Sequence, residues 1–322
     1  MGITAKYSFI NGLFAQGDVN SEFDFIVPGF IDLHCHGGGG KYFSDDFEIA
    51  HKTHLDAGTR VQIASLVTQD IETLKKQINY LKNSNVYGIH LEGPYLSTKY
   101  CGAHDVKLLK SPELNEIKEL IAVGEGSIKM ITIAPELPGA IEAIHYLTTQ
   151  GVLVAIGHSD AKSAHTLAAI AAGAKLVTHF NNAMAKLGST DSLSSAALGS
   201  DIHLELIEDG QHVSASDSLS IISKAPSRIV AVTDAMSAAG CGDGQYQIGN
   251  LPVTVEKSVA KISGTNTLAG STLTMLDAFL NFNKLIGFEQ AVHYTSINPA
   301  KLLNINPYEG YIAIKGREVT YL

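Results

Sequence analysis

Two hydrophobic rhythms alternate along this chain. Short β-type apolar runs recur at Ile26–His34, Val61–Val67, Val86–Leu91, Ile128–Ala134, Val152–Ile156, Leu176–Phe180, Leu204–Ile207 and Ile229–Val232. Between them, stretches such as Asp70–Leu81, Gly139–Gln150 and Ala161–Ala172 carry apolar residues three and four apart, the spacing of one helix face. Gly151 and Gly173 follow two of these stretches where left-handed C-terminal caps belong. Eight strand-then-helix units predict an α/β fold with a parallel, TIM-like (β/α)8 barrel, although the segment after His179 is longer and less regular. The ends of the chain break this rhythm. Residues 1–27 carry turn signals at Asn11-Gly12 and Gly17-Asp18, and residues 310–322 read as strand, turn, strand. Both termini are therefore expected to pair into a small β-sandwich domain, 1–27 with 300–322, flanking a barrel of residues 28–299. Residues 242–264 read as a hairpin inserted into the barrel.

Composition narrows what such a barrel does. At 322 residues and 45% hydrophobic content the chain can bury a large core. Its net charge of -9 and the absence of a basic face argue against nucleic-acid binding. Cys35, Cys101 and Cys241 are widely separated, so a disulfide framework is not expected and a reducing compartment, the cytoplasm, is. The opening Met1–Lys6 lacks a signal-peptide core, and no apolar run approaches a membrane span.

The chemistry collects at the C-terminal ends of the expected strands, which share one mouth in a barrel. The first strand ends in His34-Cys-His36, the third in His90-Leu-Glu92, the fifth in Gly157-His158 and the sixth in Thr178-His179. Asp209-Gly-Gln-His212 follows the seventh, and Val232-Thr-Asp234 ends the eighth. A single histidine there is commonly a hydrogen-bonded structural residue, but repetition at strand after strand points to a metal. Imidazole and carboxylate donors suit a divalent ion such as zinc or iron. His34, His36, His158 and His179 are the expected nitrogen ligands, with Glu92 able to bind one ion or bridge two. Asp234 can take a proton from an attacking water and pass it to a leaving amine. His90 reads either as a ligand or as a residue buried behind the ligands. His51, His54, His145, His165, His203 and His293 read as structural or exposed.

A set of motifs spanning residues 26–305 resembles the N-acetylglucosamine-6-phosphate deacetylases of the amidohydrolase superfamily. It comprises His34-Cys-His36, His90-Leu-Glu-Gly-Pro94, Gly102-Ala-His104, Gly157-His-Ser-Asp-Ala161, Thr178-His-Phe-Asn-Asn-Ala-Met184, Asp209-Gly-Gln-His-Val213, Val232-Thr-Asp234 and Leu268-Ala-Gly-Ser-Thr-Leu-Thr-Met275. The resemblance implies metal-dependent deacetylation of an N-acetylamino sugar phosphate, N-acetylglucosamine-6-phosphate first among them, by a homodimer. Carried over by residue, it implies that Glu92, His158 and His179 are the principal metal ligands. His34 and His36 match a pair kept by members with a second ion, and Asp234 matches the catalytic aspartate. His104, Asn182, Ala183, His212 and Leu268 fall where the family positions substrate. Where the family usually places a phosphate-gripping arginine, often reaching in from the neighbouring subunit, this chain has Thr190, with Lys186 the nearest cation on that stretch. A dihydroorotase-like or D-aminoacylase-like enzyme is disfavoured, because the lysine that bridges metals in many of them would end the fourth strand, whereas Lys129 opens it. A non-catalytic binding protein on the same fold would have no use for Asp234.

Overall fold

The computed structural model describes residues 3–322; Met1 and Gly2, part of the expected terminal domain, lie outside the described residues. Eight parallel strands form one sheet in sequence order: Phe30–Cys35, Thr59–Val67, Gly88–Glu92, Ile128–Ile133, Leu153–Ile156, Leu176–Val177, His203–Leu206 and Ile229–Ala231. The barrel closes just beyond its last strand, where Asp234 N–H donates to the His34 carbonyl (2.8 Å) and His36 N–H to the Ala235 carbonyl (2.8 Å).

The crossover helices form where the apolar spacing placed them. Leu74, Ile78 and Leu81 of the helix Ile71–Lys82 are all buried, and Asp70 caps its first turn by accepting from Thr73 N–H (2.9 Å). Gly151 and Gly173 adopt φ of +75° and +113° just past their helices. At Gly173 a Cβ would stand 2.6 Å from the Thr148 side chain, so both the backbone angle and the space require glycine.

The expected single strand Ile26–His34 is two strands in two sheets. Phe23–Pro28 pairs with Tyr311–Lys315, and Phe30–Cys35 pairs with Thr59–Val67. Gly29 is the crossing point: its N–H donates to the Gly310 carbonyl (3.0 Å), whereas Phe30 N–H donates to the Gly58 carbonyl (3.0 Å). The terminal strands build one five-stranded sheet, in the order 318–321, 311–315, 23–28, 5–10, 13–16. A two-sheet sandwich was expected, but the facing layer is helical. Phe25 packs on Phe279 (5.3 Å between ring centroids) and Phe288 (5.6 Å), from helices Met275–Ile286 and Phe288–Val292. Residues 298–303, which straddle the expected boundary at 300, form a helix whose Ala300 packs among Ile31, Leu33 and Val61 inside the barrel. The inserted hairpin is a three-stranded antiparallel sheet of Gly244–Ile248, Leu251–Glu256 and Val259–Ile262. Among the described residues no helix is long and apolar enough to cross a membrane.

The barrel interior is layered. An apolar floor of Ile31, Ile63, Met130, Leu176 and Val230 lies beneath a polar belt. In that belt Ser65 Oγ meets His90 Nδ1 (2.9 Å), His90 Nε2 meets Thr132 Oγ1 (2.8 Å), and Thr132 Oγ1 meets Thr178 Oγ1 (2.8 Å). Both ring nitrogens of His90 are thus occupied within the belt, which leaves it none to offer a metal.

Candidate metal centre

Above the belt four imidazoles and one carboxylate converge. His158 Nε2 lies 2.9 Å from His179 Nε2, and His34 Nε2 lies 3.2 Å from His36 Nε2. Glu92 stands between the pairs, with Oε1 3.1 Å from His158 and 3.2 Å from His179, and Oε2 3.2 Å from His36. Asp234 Oδ1 faces His34 (3.5 Å) and His36 (3.3 Å).

The tautomers are set from behind. His34 Nδ1 donates to Glu205 Oε2 (3.0 Å), His36 Nδ1 to the Ser65 carbonyl (3.2 Å) and His158 Nδ1 to the Tyr100 carbonyl (2.8 Å). With the proton held on Nδ1, each Nε2 turns a lone pair into the centre. Burial pushes His158 down to about 4, which keeps it a neutral donor. Four ring nitrogens and a carboxylate this close together cannot all be satisfied by protons shared among them, and a divalent cation would engage every one. Donors bound at ~2.0–2.2 Å around a tetrahedral ion sit about 3.3–3.6 Å apart, close to the spacings here. The residues present therefore fit one divalent ion at Glu92, His158 and His179, and a second at His34, His36 and Glu92.

Burial opposes ionisation of Asp234, but the imidazoles of His34 and His36 that face its Oδ1 outweigh it and hold the carboxyl well below its ordinary range. His158, His179, Asn181, Ala183 and Asp234 all have positive φ, between 27° and 71°, without being glycine. Each such backbone costs about 1–3 kcal/mol and persists where the surrounding fold dictates it, commonly at functional sites.

One cavity of about 200 Å³ opens on this centre. Every residue expected from the sequence lines it except His34, which lies fully buried behind His36. His104 shares a hydrogen bond with Thr68 Oγ1 (2.8 Å) and turns Nε2 to within 3.4 Å of Glu92. His212 Nδ1 donates to Asp209 Oδ2 (2.7 Å), which leaves its Nε2 for the cavity. Thr190 is exposed, and Lys186 Nζ donates to the Asn181 carbonyl (2.6 Å). Among the described residues no lysine or arginine lines the cavity. None of the six histidines read as structural or exposed lines it either; His54 is buried, its Nε2 2.9 Å from the Gly37 carbonyl.

Two buried carboxylates escaped the sequence reading. Glu205 accepts from His34 Nδ1 and from His179 N–H (2.9 Å), so one side chain braces a ligand of each candidate position. Asp32 accepts from Thr233 Oγ1 (2.6 Å) and from His34 N–H (3.2 Å), and burial pushes its carboxyl up to about 7. A signal existed: an acidic residue inside a short apolar barrel strand is costly to bury and needs a buried partner.

Residues 25–316 match the amidohydrolase family. The chain is 33% identical over 301 residues to an N-acetylgalactosamine-6-phosphate deacetylase of Escherichia coli O157:H7, covering 88% of this chain and 79% of that protein. It is also 33% identical over 329 residues to an N-acetylglucosamine-6-phosphate deacetylase of Caenorhabditis elegans, covering 93% and 79%. A variant of the Mycobacterium smegmatis N-acetyl-D-glucosamine-6-phosphate deacetylase, solved with N-acetyl-D-glucosamine-6-phosphate, superposes with a TM-score of 0.92 at 33% identity over 99% of this chain and 96% of its own. The Thermotoga maritima N-acetylglucosamine-6-phosphate deacetylase gives 0.86 at 28% identity, covering 96% and 90%. By sequence over most of its length, and by fold, the chain belongs to the amidohydrolase family, in its N-acetylglucosamine-6-phosphate deacetylase branch.

Proposed function

We propose that this chain hydrolyses the acetamide of N-acetylglucosamine-6-phosphate, or its galacto isomer, to the amino sugar phosphate and acetate, with one or two divalent ions, zinc or iron, held by Glu92, His158, His179, His34 and His36. The observation that carries the reading is the convergence of four histidine Nε2 atoms on one another and on Glu92 beside an ionised Asp234. A divalent ion in that cage supplies positive charge that acidifies water and polarises a carbonyl. Asp234 accepts the proton of the attacking water as its oxygen bonds to the acetamide carbon. When the C–N bond breaks, Asp234 returns that proton to the departing nitrogen, and acetate leaves. His104 faces the acetamide carbonyl, while His212, Leu268, Asn182 and the backbone at Ala183 hold the sugar. The same reading places the enzyme in the cytoplasm as a homodimer, which sedimentation at working concentration checks.

The test compares kcat/KM of the metal-loaded enzyme on N-acetylglucosamine-6-phosphate, N-acetylgalactosamine-6-phosphate and N-acetylglucosamine. Turnover of an N-acetyl sugar that chelation abolishes is expected, and its absence on all three sinks the reading. With Thr190 at the arginine position, the preference for phosphate should fall short of an arginine-bearing relative's by roughly 10- to 150-fold, the worth of a charge-assisted hydrogen bond. Thr190→Arg should then raise it. If Lys186→Ala instead weakens only the phosphorylated substrates, that lysine grips the anion.

A further inference from the structure

The three-stranded sheet inserted at residues 244–262 contributes no metal ligand and no proton-transfer group, yet it delivers one side chain to the cavity, Ile248. The strand Gly244–Ile248 meets Leu251–Glu256 across a two-residue turn led by Gly249, whose φ is +52°. That turn rests against the barrel: a Cβ on Gly249 would stand 3.5 Å from Val67 Cγ2 and 3.4 Å from Gln69 Nε2. On the other side of Ile248, the Tyr42 hydroxyl donates to the Gln247 carbonyl. Ile248 is 5% exposed and belongs to one apolar cluster with Met236, Val253 and Ala269, against which Ala103 packs. It is held from both sides.

This apolar wall adjoins the reacting centre. Gly270 lies so close to Asp234 that a Cβ there would stand 2.8 Å from the Asp234 carbonyl and 3.4 Å from Met236 Cβ. The polar lining at Asn182 and His212 comes from segments following two other barrel strands. An N-acyl sugar phosphate presents hydroxyls around its ring and charge at its far end. The acyl chain ends in carbon alone, and it is attached to the carbon that Asp234 must serve.

We infer that Ile248 is the acyl-length gauge of this enzyme: its side chain closes the acyl end of the cavity at the size of a methyl group. The inference rests on the deacetylase reading and deepens it to the choice of acyl chain. Because the wall is backed by a packed cluster rather than by a loop, a longer chain has to overpack it. One methylene against such a wall is worth roughly 10- to 200-fold in kcat/KM.

The experiment measures kcat/KM for the N-acetyl, N-propionyl and N-butyryl forms of glucosamine-6-phosphate in the metal-loaded wild type, Ile248→Val, Ile248→Ala and Val253→Ala. Metal content and melting temperature are measured on each. Val253 is buried in the same cluster without lining the cavity, so it reports on a loosened sheet alone. The wild type should prefer acetyl by at least tenfold over propionyl. Ile248→Ala should raise the propionyl-to-acetyl ratio tenfold or more, Ile248→Val by less, and Val253→Ala should leave it in place. If Ile248→Ala does not fold, the valine variant still reads the ratio. An unchanged ratio in the Ile248 variants with acetyl turnover intact overturns the gauge, and so does an equal rise in Val253→Ala. A wild type that cleaves none of the three, and neither N-acetylgalactosamine-6-phosphate nor N-acetylglucosamine, overturns the deacetylase reading itself.

Discussion

Asp234 sits on the seam that closes the barrel, and the same contacts that close it aim the carboxylate. Its N–H is bound to His34 and the preceding Thr233 hydroxyl to Asp32, while its carboxylate faces His34 and His36. Asp234→Asn keeps the size and the backbone but can neither accept nor return a proton. The variant should bind metal normally and lose ~10²–10⁴-fold or more in kcat with little change in KM, measured by steady-state kinetics alongside metal analysis. Glu205 acts through others. Glu205→Gln keeps an acceptor for one of its two hydrogen bonds but removes the charge behind His34, and partners of this kind are worth roughly 10- to 100-fold in metal affinity. The loss should fall chiefly on the ion at His34 and His36, seen as a drop in metal stoichiometry under a graded chelator. Undiminished stoichiometry would leave Glu205 as packing. At this scale the candidate ligands were legible because histidines recurred at strand ends, whereas the roles of Glu205 and Asp32 were not, because each has a partner distant along the chain. His90 stood undecided in the sequence, since strand parity shows the side of a strand and not the depth in the barrel.

Local patterns were reliable wherever an element carried its own stop and start signals. Asp70 caps its helix through Thr73 N–H and Thr73 Oγ1 (2.7 Å), and it does not line the cavity. Asp70→Ala should cost about 1 kcal/mol, read as a melting temperature lower by about 1–2 °C with kcat unchanged. The split at Gly29 is the opposite case. Every residue from Phe23 to Cys35 except Gly29 is extended, so the hydrophobic pattern runs straight through a change of partner sheet. Only the hydrogen bonds from Gly29 to Gly310 and from Phe30 to Gly58 reveal it. The third strand of the inserted sheet escaped the hairpin reading because Val259–Ile262 is short and half buried.

Across the whole molecule, the centre is an assembly of groups that repel or leave one another unsatisfied unless a cation joins them. Removing metal should therefore lower stability as well as activity. At a free ion concentration one hundred times the dissociation constant, binding contributes about 2.7 kcal/mol, worth about 4 °C for a chain of this length. Differential scanning calorimetry of chelated and reloaded protein checks this, and identical melting temperatures would remove the metal from the centre. The barrel itself was legible because eight apolar runs separated by helix-length segments have few other solutions. The layer covering the terminal sheet was not, because helix and strand both offer apolar faces and sequence does not say which one docks.

By itself the sequence determined the order of elements, the residues able to hold a metal and the aspartate able to move a proton, because these depend on local periodicity and on side-chain chemistry. Tertiary structure alone decided that His34 and His179 share Glu205, 171 and 26 residues away along the chain respectively. It also decided that His90 faces threonine rather than the centre, and that an inserted sheet brings Ile248 into the lining of the cavity. Such relations arise from the closure of the barrel, which brings distant strand ends within hydrogen-bond distance, and no local pattern encodes where a closed sheet will meet itself.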